Sequence, residues 1–138
     1  MKISTRGRYG LRLLVDLVEQ NNSAPIPLST VAQRQQLSEK YLQQVALLLT
    51  RGGVLISVKG SGGGYLLQRP AEEIMLYDVL DILEGSISFQ EHDSENENPI
   101  ERVIRKHFCR HLDAEIAKTF TNISLKDVCT ADWYQSLT

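Results

Sequence analysis

The stretch LSEKYLQQVALLLTRGGVLISVKGSGGGY, residues 37–65, decides the fold. Its first half places apolar residues at three- and four-residue spacing, which predicts a helix from a Ser38 cap to about Arg51, where a glycine pair stops it. Its second half predicts two short strands, at 54–58 and 65–68, joined by a glycine-rich turn long enough for a hairpin tip. A helix followed directly by such a hairpin is typical of the second half of a winged helix-turn-helix.

Two further helices are predicted before this stretch. Apolar residues at helical spacing follow Thr5, which we expect to cap a first helix ending near Asn21 and Asn22. Ser29 is expected to cap a short second helix, and a turn at Gln36 joins it to the third, although this turn often carries glycine. Two short helices joined by a tight turn, the second with an apolar inner face and a polar outer face, indicate a helix-turn-helix.

The rest of the chain predicts a fourth helix, an acidic loop and one long helix. The fourth helix ends at Gly85, and the long helix carries an apolar stripe from Ile100 onward. The fold class is therefore predicted to be mostly α with a small two-stranded antiparallel wing. We expect a winged helix-turn-helix DNA-binding domain at 1–85, an acidic linker loop at 86–99, and a dimerisation helix with a C-terminal tail at 100–138.

The apolar stripe of the long helix needs a partner that covers it, because apolar surface is costly to leave in water. The simplest partner is a second copy of the same helix, which gives a twofold homodimer. The alternative is that the helix folds back on its own domain. We prefer the dimer because the domain that ends at Gly85 already looks complete.

Composition and charge exclude several classes of protein. The 138 residues are 42% hydrophobic and 23% charged, as in a globular protein, and two cysteines are too few for a disulfide framework. The sequence predicts neither a signal peptide nor a membrane-spanning helix, so we expect a cytoplasmic protein with no membrane partner.

The charge is unevenly distributed along the chain: the net charge of −2 is the sum of +6 on residues 1–69 and −8 on residues 70–138. The basic half indicates a polyanionic partner, and the alternative is an unevenly charged solvated surface.

The side chains on the predicted reading elements suit double-stranded DNA. Gln43 and Gln44 offer paired donors and acceptors to adenine, and Lys40 can reach guanine or phosphate. The glycine-rich tip is slim enough for a narrow minor groove, with Lys59 as its charged probe. The expected DNA-binding residues are Lys2, Thr5, Arg6 and Arg8 at the N-terminus, Ser38, Glu39, Lys40, Tyr41, Gln43, Gln44 and Arg51 on the third helix, and Lys59, Gly60 and Ser61 on the wing.

These features have plainer alternatives. Gln43 and Gln44 also suit a solvated helix face. The loop at 60–64 is rich in glycine like a phosphate-binding loop, but it lacks the Gly-Lys-Ser/Thr ending and leads into a strand. The sequence presents no nucleophile–base pair, paired carboxylates in an apolar setting or metal cage, so we expect no catalytic residue and no enzyme. The rival function is a winged-helix module that binds protein and has no DNA target of its own.

Several motifs resemble the IscR/NsrR/CymR family of bacterial winged-helix regulators. They are MKISTRGRYG at 1–10, LSEKYLQQ at 37–44, VKGSGGGY at 58–65, PAEEI at 70–74 and NISL at 122–125, so the resemblance covers essentially the whole chain. It implies a homodimeric transcription regulator that binds pseudo-palindromic operator DNA. In such proteins the recognition helix enters the major groove and the wing enters the minor groove.

The same resemblance bears on an iron–sulfur cluster. Many members hold a cluster on three cysteines in the loop before the dimerisation helix, whereas the corresponding loop at 92–99 has no cysteine. Arg8 stands where some members supply a carboxylate ligand, and Cys109 and Cys129 cannot supply a cysteine-rich site. The chain is therefore similar to the cluster-free members, which include repressors of cysteine and sulfur metabolism, and we expect no cofactor.

The long helix also carries a weaker candidate for a metal site. His107 and His111 lie four residues apart, a spacing that can hold a metal. We prefer the interpretation that His107 belongs to the apolar stripe and Cys109 is a small buried thiol, so no metal site is expected. The effector stays open between a small metabolite held between the domain and the long helix, a protein partner, and oxidation of a thiol.

Overall fold

The computed structural model describes residues 2–20, 23–89 and 96–130. The described residues form mainly helices and one two-stranded antiparallel sheet, which confirms the predicted fold class. The elements in chain order are α1 (Thr5–Gln20), α2 (Leu28–Gln35), α3 (Glu39–Arg51), β1 (Leu55–Val58), β2 (Gly64–Leu67), a 3₁₀ turn (Ala71–Glu73), α4 (Leu76–Glu84), α5 (Pro99–Val103), a π-helical segment (Ile104–Cys109), α6 (Arg110–Phe120) and α7 (Leu125–Thr130). No described helix is long and apolar enough to cross a membrane.

Serine side chains cap the first and third helices. Ser38 caps α3 as predicted, since its hydroxyl accepts a hydrogen bond from the Tyr41 N–H at 3.3 Å. At α1 the hydroxyl of Ser4 accepts from the Gly7 N–H at 3.0 Å. The cap therefore lies one residue before the expected Thr5, which is itself the first residue of the helix. The predicted end of α1 at residues 21–22 lies outside the described residues.

The second helix begins without its expected cap and ends at the turn that the sequence predicts. α2 begins at Leu28 after Pro27, which makes no side-chain cap, so the expectation that Ser29 caps this helix is wrong. The fixed φ of proline suits a helix start, and it brings Ser29 inside the first turn. At the other end Gln36 adopts the left-handed conformation, with φ 54° and ψ 47°. This is the turn between the two helices, where glycine would be free of strain.

A short backbone contact ties the wing to the chain before α2. β1 and β2 pair in register from Leu55 opposite Leu67 to Val58 opposite Gly64. Ile26 extends this sheet by one bridge, because it exchanges two N–H···O hydrogen bonds with Tyr65 at 2.9 and 3.0 Å. The sequence did not predict this bridge, since prolines on both sides of Ile26 disfavour a regular strand.

Helices α1, α2, α3 and α4 and the base of the wing share one apolar core. Their inward faces carry leucine, isoleucine and valine with almost no exposure, so α3 is held from behind and its opposite face is free. The largest fully buried side chains are Leu13, Leu14, Val31, Leu42, Val45, Leu49, Val54, Leu55, Ile74, Val79, Leu83 and Leu125.

The chain returns to this core after the long helix, which we define as residues 99–120. The Leu76 N–H donates to the Ile123 carbonyl at 2.8 Å, and the Leu125 N–H donates to the Ile74 carbonyl at 2.7 Å. Leu125 is fully buried. The segment from Ile123 into α7 thus packs with the helices of the N-terminal part. The division into units at 85 and 99 stays a prediction. These contacts add that the segment from Ile123 packs with the first unit and not with the long helix alone.

The long helix is capped at its start and bonded to the preceding segment in its second half, but it is open along part of its length. Asn98 and Glu101 form a reciprocal capping box at its start, each side chain bonding the other's N–H at 2.9 Å. Further along, the Asp113 carboxylate accepts from the Ser88 hydroxyl and the Phe89 N–H at 2.9 and 2.8 Å. The C-terminal half therefore folds back on its own chain, as the alternative expected. The N-terminal half exposes its large apolar residues, namely Ile100, Val103, Ile104 and Phe108.

One buried carboxylate joins α1 to the end of α2. Asp16 is 3% exposed and accepts two hydrogen bonds from the Arg34 guanidinium, at 2.6 and 3.2 Å, and one from the Gln35 amide at 2.9 Å. Burial raises the pKa of Asp16, but the bonds from Arg34 and Gln35 lower it, and the balance lies below its ordinary value. Arg12 reinforces the junction by donating to the Gln35 carbonyl at 2.6 Å.

We predict that Asp16→Asn lowers the free energy of unfolding by about 1.5–3 kcal/mol at pH 7, because it removes charge-assisted hydrogen bonds. Since the folded-state pKa of Asp16 lies below its unfolded value, the stabilisation is present above the unfolded pKa and is lost as pH falls through the folded one. The difference between the two proteins should therefore shrink below about pH 4. Urea unfolding across pH measures it, with the exposed Asp81→Asn as control, and a difference independent of pH would contradict the assignment.

A second prediction concerns the bridge between the wing and Ile26. A Cβ on Gly64 would lie 2.3 Å from the Ile26 carbonyl carbon, whereas a Cβ on Gly60 would meet nothing within 4 Å, and both residues have positive φ. Gly64→Ala should therefore lower the free energy of unfolding by about 1–3 kcal/mol more than Gly60→Ala, which pays for backbone strain alone. Denaturant unfolding of both variants tests this, and equal losses would show that the close approach is unimportant.

Candidate nucleic-acid interface

Helix α3 has a buried apolar face and an exposed face that is mostly polar. Its buried face consists of Leu42, Val45, Ala46 and Leu49, all without exposed surface. The side chains that remain exposed belong to Glu39, Lys40, Gln43, Gln44, Leu47 and Arg51. Because the core holds the first face, the second is presented to whatever approaches from outside. Apart from Leu47 this exposed face is polar or charged.

A groove separates this exposed face from the wing. Its volume is 510 Å³, and its walls come from the start of α2, the Glu39–Gln43–Leu47 row of α3, and the hairpin. Of the predicted site residues, the groove brings together Glu39, Gln43 and Gly60. Nine other residues line it that were not predicted as site residues, and those with exposed side chains include Ser29, Leu47, Ser57 and Val58. The four-residue spacing of 39, 43 and 47 was a usable indication, since such residues share one helix face.

The wing tip is narrow because its backbone requires glycine. Gly60 and Gly62 have φ of +96° and +76°, and a Cβ on Gly63 would lie 2.2 Å from the Val58 carbonyl oxygen. Lys59 is exposed, as are Gly60 and Ser61. The tip therefore presents one cationic side chain, one hydroxyl and otherwise bare backbone.

The start of α1 lies beside the start of α3. The rings of Tyr9 and Tyr41 meet edge to face, with centroids 4.9 Å apart and planes at 81°. Tyr41 is thus half-buried, and its ring serves packing. Thr5, one turn before Tyr9, and Arg8, next to Tyr9 in the sequence, are both exposed and belong to the N-terminal cluster expected near DNA.

The N-terminal residue Arg6 has a partner inside the protein. Its Nε–H donates to the Leu83 carbonyl at the C-terminal end of α4, where unpaired carbonyls favour a cation. Beside it, Glu84 accepts hydrogen bonds from the N–H and the hydroxyl of Ser4, the latter at 2.8 Å. Sequence reasoning assigned Arg6 to DNA alone and missed this anchoring contact. A contact of Arg6 with DNA stays a prediction.

The distribution of unpaired cations favours the N-terminal half. Among the described residues, Arg34, Arg102 and Arg105 pair with carboxylates. The predicted DNA-binding cations, by contrast, have no carboxylate within ion-pair distance in the part of the chain that the structure describes; they are Lys2, Arg6, Arg8, Lys40, Arg51 and Lys59. Arg51 stands apart from the rest, because it ends α3 about 20 Å from Ser38 by helix rise.

The two cysteines do not fit a cluster held by three or more thiolates. Cys109 lies in the π-helical segment and Cys129 on α7, both half-buried. Burial, followed by the negative charge of Glu19, raises the pKa of the Cys129 thiol, which disfavours the thiolate that binds metal. His107 and His111 are exposed on the long helix. Within the described ranges no group of three or more His, Cys, Asp or Glu residues could hold a metal ion.

Known proteins share both the sequence and the fold. The HTH-type transcriptional regulator CymR of Bacillus subtilis is 40% identical over 130 residues, which are 94% of this chain and 91% of that protein. The HTH-type transcriptional regulator IscR of Cereibacter sphaeroides is 39% identical over 90 residues, 64% of this chain and 58% of that one. The solved structure of B. subtilis CymR, the global cysteine regulator, superposes with a TM-score of 0.76 at 33% identity and covers 95% of this chain and 98% of that chain.

A family model described as Rrf2, iron-dependent transcriptional regulator, matches residues 3–131. The structure of oxidised Staphylococcus aureus CymR agrees with it, with a TM-score of 0.70 at 36% identity over 94% of this chain and 97% of that chain. These matches confirm the family resemblance that the sequence motifs indicated. They also confirm the prediction that the chain is a transcription regulator and not an enzyme. This chain belongs to the Rrf2 family of transcriptional regulators.

Proposed function

We propose that this protein is a sequence-specific DNA-binding repressor that acts as a homodimer on pseudo-palindromic operators. The observation that carries the proposal is the groove shared by α3 and the wing, because one wall is an exposed polar helix face and the other a slim cationic hairpin. An α-helix fits the major groove, and a thin glycine-rich tip fits the narrower minor groove beside it. This role on DNA implies that the protein works in the cytoplasm.

The residues divide by the part of DNA that their chemistry suits. On α3, Gln43 and Gln44 pair with adenine edges, and Lys40 with guanine or phosphate. Other residues are expected to position the protein on the sugar-phosphate backbone or, at the wing tip, in the minor groove. Such contacts do not themselves distinguish one base from another. These residues are Lys2, Thr5, Arg6, Arg8, Ser38, Tyr41, Arg51, Lys59, Gly60 and Ser61. The carboxylate of Glu39, which phosphate would repel, belongs instead with the residues of α3 in the major groove.

The open part of the long helix supports the homodimer. Ile100 is 73% exposed and Phe108 is 60% exposed, and both lie in the half that the rest of the chain leaves uncovered. Two copies that join these faces bury them mutually, since a twofold interface uses the same patch on both subunits. Two copies would also present two α3 helices, and so read two half-sites.

We infer a cluster-free protein linked to sulfur or cysteine metabolism. The two cysteines lie on separate elements. Burial raises the pKa of the Cys129 thiol, which disfavours the thiolate that a cluster needs. The similarity to CymR of B. subtilis, whose solved structure is named for the global cysteine regulator, supports the metabolic assignment.

We predict that Gln44→Ala weakens binding to a selected duplex at least about fivefold with little change on scrambled DNA, because a lost bidentate base contact affects the cognate base pair alone. Lys59→Ala should weaken both, because it removes charge from the wing tip. The probe is a duplex of roughly 30 base pairs, long enough for two half-sites, enriched by the protein from a random library. Fluorescence anisotropy across a salt series measures both affinities.

Two results would contradict this assignment. Equal losses for Gln44→Ala on the selected and scrambled duplexes would remove its base-reading role. Failure of the folded protein to enrich any duplex from the library at low salt would favour the module that binds protein.

A second prediction tests the homodimer. Phe108→Asp places a charge at the C-terminal end of the exposed apolar face and should convert the dimer to a monomer, since an unpaired charge is costly to bury. The matched control is Lys118→Asp, an exposed change on the same long helix that leaves the apolar residues intact. Sedimentation velocity measures the mass. A Phe108→Asp variant that stays dimeric, or a wild-type protein that is already monomeric, would overturn the interface.

A further inference from the structure

Leu47 is an exception on the exposed face of α3. On the inner face of this helix, Leu42 and Leu49 are fully buried. Leu47 lies on the outer face and is 48% exposed. It follows Gln43 by four residues and Gln44 by three, so it shares their face of the helix. A large apolar side chain therefore lies directly beside the two amides that we propose to read bases.

The surroundings of Leu47 leave it available to a ligand. It lines the groove between α3 and the wing together with Gln43, and Val58 on the wing side is itself 37% exposed. The core does not cover Leu47, and leucine has no polar atom to bond with DNA. Any favourable contact that it makes there must be with an apolar group.

The major groove displays one apolar group on its base edges, the C5-methyl of thymine. We propose that Leu47 is a specificity-determining residue, which contacts a thymine methyl in each half-site and favours thymine at that position. This inference rests on the proposed DNA-binding function. It adds a side chain that the sequence reasoning did not place in the interface, and a chemistry different from the hydrogen bonds of Gln43 and Gln44.

The test removes the methyl group and the side chain separately. Starting from the duplex that the wild-type protein enriches, each thymine is replaced in turn by deoxyuridine, which keeps base pairing and lacks only the C5-methyl. At one position per half-site, wild-type affinity should fall about fourfold, the factor expected for one buried methyl-sized group. The Leu47→Ala variant should bind both duplexes alike, with an affinity near that of the wild type on the deoxyuridine duplex.

Ile56→Ala is the matched control, because Ile56 is an exposed apolar residue of the wing that does not line the groove. This variant should keep the wild-type response to deoxyuridine. Denaturant unfolding of both variants checks that they remain folded, which their exposure favours.

Three outcomes would overturn the inference. If Leu47→Ala weakens binding equally on thymine and deoxyuridine duplexes, Leu47 contacts deoxyribose or packs against Val58. If no thymine position responds to loss of its methyl in the wild-type protein, Leu47 reads no base. If the library yields no enriched duplex at all, the proposed DNA-binding function fails, and this inference fails with it. The last result is distinct from the first two, in which specific binding persists.

Discussion

The buried carboxylate of Asp16 is the constraint on which the orientation of the exposed face of α3 depends. A charge with 3% exposure must be paired, and its partners, Arg34 and Gln35, both lie in the last turn of α2. The hydrogen bonds from Arg34 and Gln35 to this carboxylate therefore fix where α2 ends relative to α1. The left-handed Gln36 follows at once, and α3 starts three residues later from its Ser38 cap. The direction in which the exposed face of α3 points is thus set by a contact on the far side of the motif.

Close packing at the end of α4 forms a second constraint. A Cβ on Gly10 would lie 2.5 Å from the Leu83 side chain, and one on Gly7 would lie 2.0 Å from the Glu84 carboxylate. Glycine at both positions lets α4 approach α1, which explains the RGRYG pattern at residues 6–10 by packing. The residue that follows, Gly85, begins the path toward the long helix. Lys2 near the N-terminus and Phe120 at the end of the long helix line one pocket with Glu84, so both lie at the C-terminal end of α4.

Much of the candidate interface could be predicted from the sequence because its elements are local. A Ser38 cap, helical spacing and a glycine stop are readable over a dozen residues, and they place Gln43 and Gln44 on the outer face of α3. The contacts that some residues make with distant parts of the chain were not predicted. Arg6 bonds a carbonyl 77 residues away, Ser29 lines the groove instead of capping a helix, and Leu47 was omitted.

By itself the sequence determined the first four helices, the long helix, the hairpin, the uneven charge and the family, since each depends on short-range spacing, composition or motif; it did not predict α7. Only the tertiary structure decided what each exposed residue faces. The bridge between Ile26 and Tyr65, the return of Leu125 to the core, and the groove beside Leu47 all join segments far apart in the chain. Periodicity tells which side of a helix is apolar, but not which other element covers it. That depends on packing among all the elements at once, because a buried face is satisfied by whichever partner fits.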